Sequence, residues 1–563
     1  MKVIIVGGVA GGASCAARLR RLDEQAEIVM VERGPYVSFA NCGLPYHVGG
    51  VIEHESDLLV ANEQVFRGHF AVDCRPGCEA VGVDPAARTV RLRDVATGAV
   101  TTESYDTLVL APGAPSVRPP IPGIDLPGIF AVRTVPDARA IREWLERGSS
   151  FLAGMERYSG FQTVRPQRHA VVVGGGFIGL EMAENLVHRG LDVTVIELAD
   201  QVLAPLDVEY GNLVKDFLEM HGVHVVVRDG VASFAQQPDE SLLVTTRSGD
   251  TYPADIVILA LGVRPDTTLA TMAGLDVGER GGIAVDDQMR TSDPSIFAVG
   301  DAVEVRDAVT GEPSLIALAG PANRQARIAA DVIAGRDSRF RGTQGTSIIQ
   351  LFGAAAAWTG ASEKSLRRVG DEDYERVYLY PNSHAGYYPG AKPIAMKILF
   401  RRSDGRLLGA QAVGEDGVDK RIGDLALAVQ LGATVYDLEE AELCYAPPFG
   451  SAKDPVNFAG MVAAGVLRGD LPVSHWNTRS VDAFLLDVRE PVELAVEEVP
   501  GAVNIPMGQL RSRLDELPRD REIQVICRSG QRAYTATRCL LQNGFDARVL
   551  SGGMLSRVLW PTS

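Results

Sequence analysis

The stretch HAVVVGGGFIGLEMAENLVHRGLDVTVIELAD, residues 169–200, decides the fold of this chain. An apolar strand leads into Gly174-x-Gly176-x-x-Gly179, a helical segment follows, and a second strand ends at Glu197. The first glycine permits a tight turn, the second lets a pyrophosphate approach the backbone, and the third lets helix and strand pack closely. Glu197 then lies where a carboxylate would bind an adenosine ribose, and no arginine follows to bind a 2′-phosphate. The stretch therefore predicts a dinucleotide-binding domain that prefers NADH over NADPH.

The N-terminus repeats this plan with one deviation. VIIVGGVAGGASCAARLRRL (3–22) precedes the strand EIVMVE (27–32), and Val9 occupies the position of the middle glycine. Taken alone, this loop is equally compatible with a generic Gly-rich turn. A later strand, in TSDPSIFAVGDA (291–302), ends in Gly300-Asp301, a turn and a carboxylate that suit the ribityl and pyrophosphate groups of a flavin. The strand in YDTLVLAPGAP (105–115) stops at Pro-Gly, which suits a chain crossing between two domains. The residues expected to contact this second dinucleotide are Gly7, Gly11, Gly12, Glu32, Gly113, Gly300 and Asp301.

The order of these motifs resembles the FAD- and NAD(P)H-dependent pyridine nucleotide-disulfide oxidoreductases over residues 1 to about 460. The resemblance implies an α/β fold with two nested Rossmann-like domains followed by an α+β dimerisation domain. Segment 148–166 lengthens the approach to the NADH strand and has no assigned function. The implied domains are FAD-binding (1–115 and 255–330), NADH-binding (116–254) and dimerisation (331–465).

The stretch SFANCGLPY, residues 38–46, offers a single cysteine, Cys42, and the residue five positions on is His47. It resembles the single-cysteine branch of the family, which includes coenzyme A disulfide reductases, NADH oxidases and NADH peroxidases. The oxidases and peroxidases keep a histidine in the first Gly-rich loop, where this chain has Val9 and Ala10. Oxygen chemistry is therefore disfavoured, although a sulfenic acid on Cys42 remains open.

The third segment also resembles the coenzyme A branch. Its motifs are HAGYYPGA (384–391), GVDKRI (417–422) and YAPPFGSAKDPVNFAG (445–460). The resemblance implies a homodimer in which Tyr387 and Tyr445 reach the cysteine of the other subunit, where a phenol could protonate a leaving thiolate. Two structural tyrosines are the alternative, and the neighbouring Tyr388 competes for the first role.

A coenzyme A site needs cations at a distance from the cysteine, because the nucleotide phosphates lie far from the thiol. The first helix carries Arg18 and Arg21, and the family comparison places the nucleotide end there, with Ser38 and Asn41 beside Cys42. A solvated basic helix face is the alternative interpretation of these arginines.

The last 90 or so residues change character. A strand delivers Cys527 into the loop CRSGQR (527–532), where backbone N–H groups and the guanidiniums of Arg528 and Arg532 are expected to surround one sulfur. Residues 470–563 resemble a rhodanese domain with an α/β fold, which implies a persulfide on Cys527. Phosphatases use a related loop that is one residue longer, so sulfur chemistry is the better interpretation. The residues expected to be structural are Asp487, Arg489 and Cys539.

Composition limits the remaining possibilities. The formal charge of −17 over 563 residues argues against nucleic acid and anionic membranes as partners. No apolar run approaches the roughly 20 residues of a membrane helix, and the N-terminus is better explained as a strand than as a signal peptide. Seven scattered cysteines indicate reduced thiols in the cytoplasm, and Cys74 and Cys78 lack a second ligand pair for a metal.

At full length the chain resembles the fusion of a coenzyme A disulfide reductase with a rhodanese, described as an NADH-dependent persulfide or polysulfide reductase. The resemblance implies FAD and NADH as cofactors, and coenzyme A as a substrate or tightly bound group. Three alternatives stay open: a coenzyme A disulfide reductase proper, an NADH oxidase or peroxidase, and a sulfur carrier that hands a persulfide to a protein partner.

Overall fold

The computed structural model describes residues 1–156 and 168–560. Of the unassigned segment 148–166, the backbone up to residue 156 continues a helix, and the rest lies outside the described residues. Two compact units emerge, each described here by itself. Their residues are Met1–Leu203 with Leu218–Gly345, and Ala204–Phe217 with Thr346–Ser563.

The first sheet of the first unit is five-stranded and parallel. Its central strand is apolar and almost wholly buried, as expected for a sheet that is covered on both faces. The helices Ala10–Arg20 and Ala319–Ile333 pack against each other beside it. The strands, in spatial order, are Ile296–Ala298, Thr107–Leu110, Lys2–Val6, Glu27–Glu32 and Asp73–Pro76.

The second sheet is also parallel and contains the βαβ unit quoted first. Its helix Phe177–His188 begins directly after the Gly loop. In spatial order the strands are His224–Val226, Asp192–Ile196, His169–Val173, Ile256–Leu259 and Ile129–Ala131.

Shorter elements complete the first unit and precede the second. Three further three-stranded sheets belong to the described part of this unit; two are antiparallel, and the third, near the end of the unit, is mixed. The antiparallel strands are Cys78–Asp84, Thr89–Asp94 and Val100–Ser104; Val231–Gln236, Leu242–Thr246 and Thr251–Ala254; and Val303–Arg306 with Pro313–Ser314, beside the parallel Ile283–Ala284. The other helices of this unit are Asn41–Gly43 and Glu55–Leu58, both 3-10, and Leu44–Gly49, Glu63–Phe70, Val135–Glu156 and Thr268–Met272. The helix Val208–Met220 belongs to the second unit up to Phe217.

The second unit begins with a five-stranded antiparallel sheet. Lys397 on one of its strands is fully buried, and its ammonium bonds to Asp207, Glu209 and Glu363. In spatial order the strands are Ser347–Leu351, Ala354–Gly360, Leu407–Gly414, Ile394–Arg401 and Tyr374–Leu379. The helices of this part are Glu363–Arg368, Val418–Leu431, Val435–Glu440 and Pro455–Leu467.

A parallel sheet forms the C-terminal part of the second unit. Its central strand, Ile523–Ile526, is wholly buried and delivers Cys527 at its carboxyl end. In spatial order the strands are Val473–Ser474, Ala547–Leu550, Ile523–Ile526, Phe484–Asp487 and Val503–Asn504. The helices are Pro491–Leu494, Gln531–Gln542 and Gly553–Arg557, with 3-10 turns at Trp476–Thr478, Leu510–Ser512 and Leu514–Glu516.

These sheets confirm the predicted fold class, and the predicted domain boundaries stay a prediction. The strand Ile256–Leu259 pairs in the second sheet. The first unit continues to Gly345, and Thr343 near its end pairs with Asp307. Among the described residues, no helix has both the length and the apolar character that crossing a bilayer requires.

Candidate functional site

A cavity of about 640 Å³ opens at the carboxyl ends of the strands of the first sheet. That volume lies within the range of about 300–1,000 Å³ typical of small-molecule and cofactor sites. Its walls include most of the residues predicted to contact a flavin dinucleotide. They are Gly7, Gly11, Glu32, Gly113, Gly300 and Asp301, together with Asn41.

The two Gly loops have matching geometry. Gly7 has φ +98° and Gly174 has φ +112°, which L-residues with a side chain rarely adopt. A Cβ on Gly12 would lie 1.7 Å from the Gly7 carbonyl oxygen, and one on Gly179 would lie 1.9 Å from that of Gly174. A Cβ on Gly176 would meet nothing within 4 Å, which leaves the open backbone that a pyrophosphate needs. Both loops therefore fit a dinucleotide.

The glutamates at the end of the second strand of the two βαβ repeats, Glu32 and Glu197, also have matching contacts. The Glu32 carboxylate accepts hydrogen bonds of 2.8 Å from the N–H groups of Gly8 and Gly34. Glu197 accepts one of 2.6 Å from the N–H of Gly175, the equivalent of Gly8. Each loop thus fixes its carboxylate beside the glycines.

Asp301 forms an ion pair that the sequence did not reveal. Its carboxylate lies 3.1 Å from the guanidinium of Arg133, which also lines the cavity. The Arg133 backbone is held by Asp137, whose carboxylate accepts a hydrogen bond of 3.1 Å from the Arg133 N–H. In the sequence, Arg133 lies between a strand and the start of a helix. Nothing in that position indicated a partner 168 residues away.

Cys42 is exposed on the 3-10 turn Asn41–Gly43, directly before the helix Leu44–Gly49. Desolvation by the surrounding residues raises the pKa of its thiol, and the charges of Glu181 and Asp301 add to this. Arg133 acts in the opposite direction. His47, which occupies the place of a second cysteine, is buried, and its Nδ1 lies 2.8 Å from the Ile52 carbonyl oxygen.

A second unpredicted contact links the Cys42 segment to the helix of the second Gly loop. The Tyr46 hydroxyl donates a hydrogen bond of 3.3 Å to the Glu181 carboxylate. Burial raises the pKa of Glu181 to about 7, the Tyr46 bond opposes the shift, and the charge of Glu184 adds to it. A glutamate two residues after the third glycine was the only sequence signal.

The residues predicted to bind coenzyme A occupy different environments. The Arg18 guanidinium pairs with Asp331 at 2.7 Å, whereas Arg21 is exposed. Ser38 has a positive φ of 48°, and its N–H donates to the Gly8 carbonyl at 2.8 Å. The Asn41 side-chain oxygen is buried without a hydrogen-bond partner among the described residues. Their part in a coenzyme A site stays a prediction.

In the second unit, the two predicted tyrosines meet. The hydroxyls of Tyr387 and Tyr445 lie 3.0 Å apart, and this hydrogen bond raises the pKa of Tyr387. Both side chains are exposed, at 76% and 50%. The neighbouring Tyr388 instead packs edge-on against His384, with ring centroids 5.8 Å apart. The pair therefore presents two linked phenols on the surface of this unit.

The C-terminal cysteine has the opposite setting. Cys527 is 1% exposed, and its sulfur accepts a hydrogen bond of 3.1 Å from the Gly530 N–H. The loop is supported from below, because Met554 donates its N–H to the Cys527 carbonyl at 2.9 Å and Leu555 donates to that of Arg528 at 3.0 Å. The segment after the last strand thus holds the loop in place.

The arginines of this loop differ from each other. Arg532 forms a two-point ion pair with Glu493, with N–O distances of 2.6 and 2.7 Å. Arg528 is exposed. Asp487 and Arg489, predicted to be structural, form a buried ion pair at 2.7 Å. The spacing of Glu493 from Arg532 in the sequence gave no sign of this contact.

Models of three known families match the chain. Residues 1–326 match the pyridine nucleotide-disulphide oxidoreductases, and residues 348–455 match the dimerisation domain of the same proteins. Residues 474–556 match the rhodanese-like domain.

Known relatives cover most of the chain. A coenzyme A disulfide reductase of Staphylococcus haemolyticus is 33% identical over 463 residues, which are 82% of this chain and 99% of the relative. An NADH oxidase of Methanocaldococcus jannaschii is 33% identical over 462 residues, which are 82% of this chain and 98% of the relative.

Two solved structures extend the likeness to nearly the whole chain. Reduced CoADR-RHD of Bacillus anthracis is 43% identical with a TM-score of 0.93, covering 99% of this chain and 98% of its own. A NAD-dependent persulfide reductase from A. fulgidus is 37% identical with a TM-score of 0.89, covering 99% and 100%.

Proposed function

Because the chain belongs to the FAD-dependent pyridine nucleotide-disulphide oxidoreductase family and ends in a rhodanese-like domain, we propose that it uses NADH to reduce coenzyme A persulfide or polysulfide. The observation that carries the proposal is that one chain contains both the exposed Cys42 and a second cysteine, Cys527, whose sulfur accepts a hydrogen bond from a backbone N–H. The names of the Staphylococcus and A. fulgidus proteins support this substrate class.

The first step belongs to Cys42. Its thiolate attacks the inner sulfur of a persulfide R–S–SH, the sulfur–sulfur bond breaks, and hydrosulfide leaves with the electron pair. Cys42 is left in a mixed disulfide with R, which in our proposal is coenzyme A. The exposed position of Cys42 admits such a long substrate.

The second step breaks the mixed disulfide with the two electrons of NADH, regenerates the Cys42 thiolate and releases R as a thiol, which takes the proton that NADH gives up. When bound, FAD carries the electrons of NADH to the disulfide. The Gly7 and Gly174 loops would bind FAD and NADH respectively, with Glu32 and Glu197 at their riboses. Arg133 would moderate the negative charge of Asp301 near the sulfur.

We further propose that the enzyme is a homodimer in which Tyr387 and Tyr445 of one subunit protonate the thiolate that leaves Cys42 of the other. The match to a dimerisation domain supports a homodimer. Exposed aromatic side chains, including Phe449 at 70%, support an interface near the tyrosine pair.

Seven free cysteines support a cytoplasmic location.

Cys527 supplies the sulfur side of the proposal. It would accept sulfane sulfur from a donor and pass it to coenzyme A, so that the Cys42 site receives its persulfide.

NADH oxidase activity is the second candidate, because one relative bears that name. Val9 and Ala10 in the first loop, with no histidine, count against it.

The test is NADH oxidation by the holoenzyme with coenzyme A persulfide, coenzyme A disulfide or oxygen as acceptor. We expect the persulfide to give the highest kcat/KM and Cys42→Ser to abolish turnover with flavin still bound. Cys527→Ser should keep reduction of preformed persulfide and lose turnover that begins from a sulfane donor plus coenzyme A. Full persulfide turnover in Cys42→Ser, or a fastest rate with oxygen alone, would overturn the proposal.

A further inference from the structure

The Cys527 loop, residues 527–532, carries two arginines, and within the described part of the chain only Arg532 forms an ion pair. Arg532 is paired at two points with Glu493, and this bond lowers the pKa of Glu493 to about 2, so the pair stays ionised at neutral pH. Arg528 is exposed and forms no ion pair with any residue in ranges 1–156 and 168–560. Arg528 is therefore the uncompensated cation of this loop.

The segment around Glu493 carries a further acidic side chain and two exposed apolar ones. Glu490 is exposed, and its charge adds to the raised pKa of Arg532, which places it near the guanidinium. Val492 and Val496 flank Glu493 and are 75% and 89% exposed. An uncharged organic arm could contact these valines, whereas a compact inorganic dianion gains nothing from them.

We propose that the Glu493–Arg532 ion pair sets the donor specificity of Cys527, excluding dianions such as thiosulfate and admitting monoanionic persulfides on an uncharged arm. The inference rests on the proposed function, in which Cys527 accepts sulfane sulfur. A persulfide anion brings one charge, which Arg528 and the Gly530 N–H can match. Thiosulfate brings two, and the cation that would match the second is held by Glu493.

The transfer balances without an added oxidant or reductant. The sulfur of the Cys527 thiol bonds to the outer sulfur of R–S–S⁻, and the bond between the two donor sulfurs breaks. The electron pair leaves on the inner sulfur, which takes the proton of the Cys527 thiol and departs as RSH. The negative charge stays on the transferred sulfur, next to the Gly530 N–H.

The test measures thiocyanate formation from cyanide by the full-length holoenzyme, without NADH, using thiosulfate or pantetheine persulfide, whose arm is uncharged, as donor. Glu493→Gln removes the charge but keeps an oxygen that can accept the Glu490 N–H, as Glu493 does at 3.0 Å, so the start of the short helix is preserved. We expect the ratio of kcat/KM for persulfide over thiosulfate to fall about tenfold, through a gain with thiosulfate.

Glu516→Gln is the matched control, because it removes a two-point pair with Arg513 of 2.6 and 2.7 Å in the same domain. Its ratio should stay within about twofold of wild type. A ratio equally unchanged in folded Glu493→Gln would overturn the inference. If Glu493→Gln does not fold, Glu490→Gln decides: a smaller fall in the ratio supports the inference and no fall overturns it. NADH oxidation with coenzyme A persulfide, measured separately, reports failure of the proposed function itself.

Discussion

The Tyr46 hydroxyl donates a 3.3 Å hydrogen bond to the Glu181 carboxylate and so ties the segment that carries Cys42 to the helix after the second Gly loop. Burial raises the pKa of Glu181 to about 7, so this carboxyl is partly protonated at neutral pH. Its charge in turn raises the pKa of the Cys42 thiol. Ionisation of Glu181 and reactivity of Cys42 are therefore linked.

Glu181→Gln should change how stability depends on pH. The pKa of Glu181 is about 7 in the folded protein and near 4.5 in an unfolded chain, so folding takes up a proton between these values. The stabilisation is complete below about pH 4.5 and is lost as the pH rises through about 7. The thermal midpoint of Glu181→Gln should therefore gain on wild type between pH 5.5 and 8, by the equivalent of about 2 kcal/mol.

Glu53→Gln, a change at an exposed glutamate of the neighbouring segment, is the control and should show no such gain. An equal difference between Glu181→Gln and wild type at both pH values would contradict the pKa of Glu181.

Arg133→Gln should make the Cys42 thiol harder to ionise. Desolvation and two carboxylates raise the pKa of this thiol, and Arg133 is the group that lowers it. Alkylation by iodoacetamide, followed at Cys42 by peptide mass spectrometry, should show its pH midpoint rising by about half a unit to one unit. Arg133→Lys keeps the charge and should move the midpoint less. A lower midpoint in Arg133→Gln would refute this role.

Sequence reasoning predicted what depends on local pattern. Each βαβ unit shows its glycines, its helix start and its terminal carboxylate in order. To predict it, we needed only spacings within a few residues or within one strand–helix–strand repeat. The Cys527 loop, at a helix start, is equally local. Both are encoded in the backbone that the glycines permit, and the fold class followed from them.

Long-range pairs were not predictable. Arg133 and Asp301 are 168 residues apart, and Tyr46 and Glu181 are 135 apart. A lysine in an apolar strand gave no sign that Lys397 would be buried against three carboxylates from two other segments. Such contacts depend on how separate elements pack, and a single sequence does not display that packing.

Gly176→Ala and Gly179→Ala should separate binding from packing. A Cβ at Gly176 meets nothing within 4 Å, so the protein should fold and melt as wild type does, while the KM for NADH rises about tenfold because the methyl group occupies the pyrophosphate approach. A Cβ at Gly179 lies 1.9 Å from the Gly174 carbonyl oxygen, so the helix must move and the thermal midpoint should fall. An unchanged KM in Gly176→Ala would show that this loop does not bind the nicotinamide dinucleotide.

Tyr387→Phe and Tyr445→Phe should each slow persulfide reduction by about a hundredfold if the linked phenols deliver a proton. Because the two hydroxyls are 3.0 Å apart and act as one unit, the double variant should lose little more than either single one. Reduction of the flavin by NADH, followed by stopped-flow absorbance, should stay at the wild-type rate. Tyr388→Phe is the matched control and should keep full turnover, since its ring packs on His384. Losses that multiply in the double variant would mean that the tyrosines act separately.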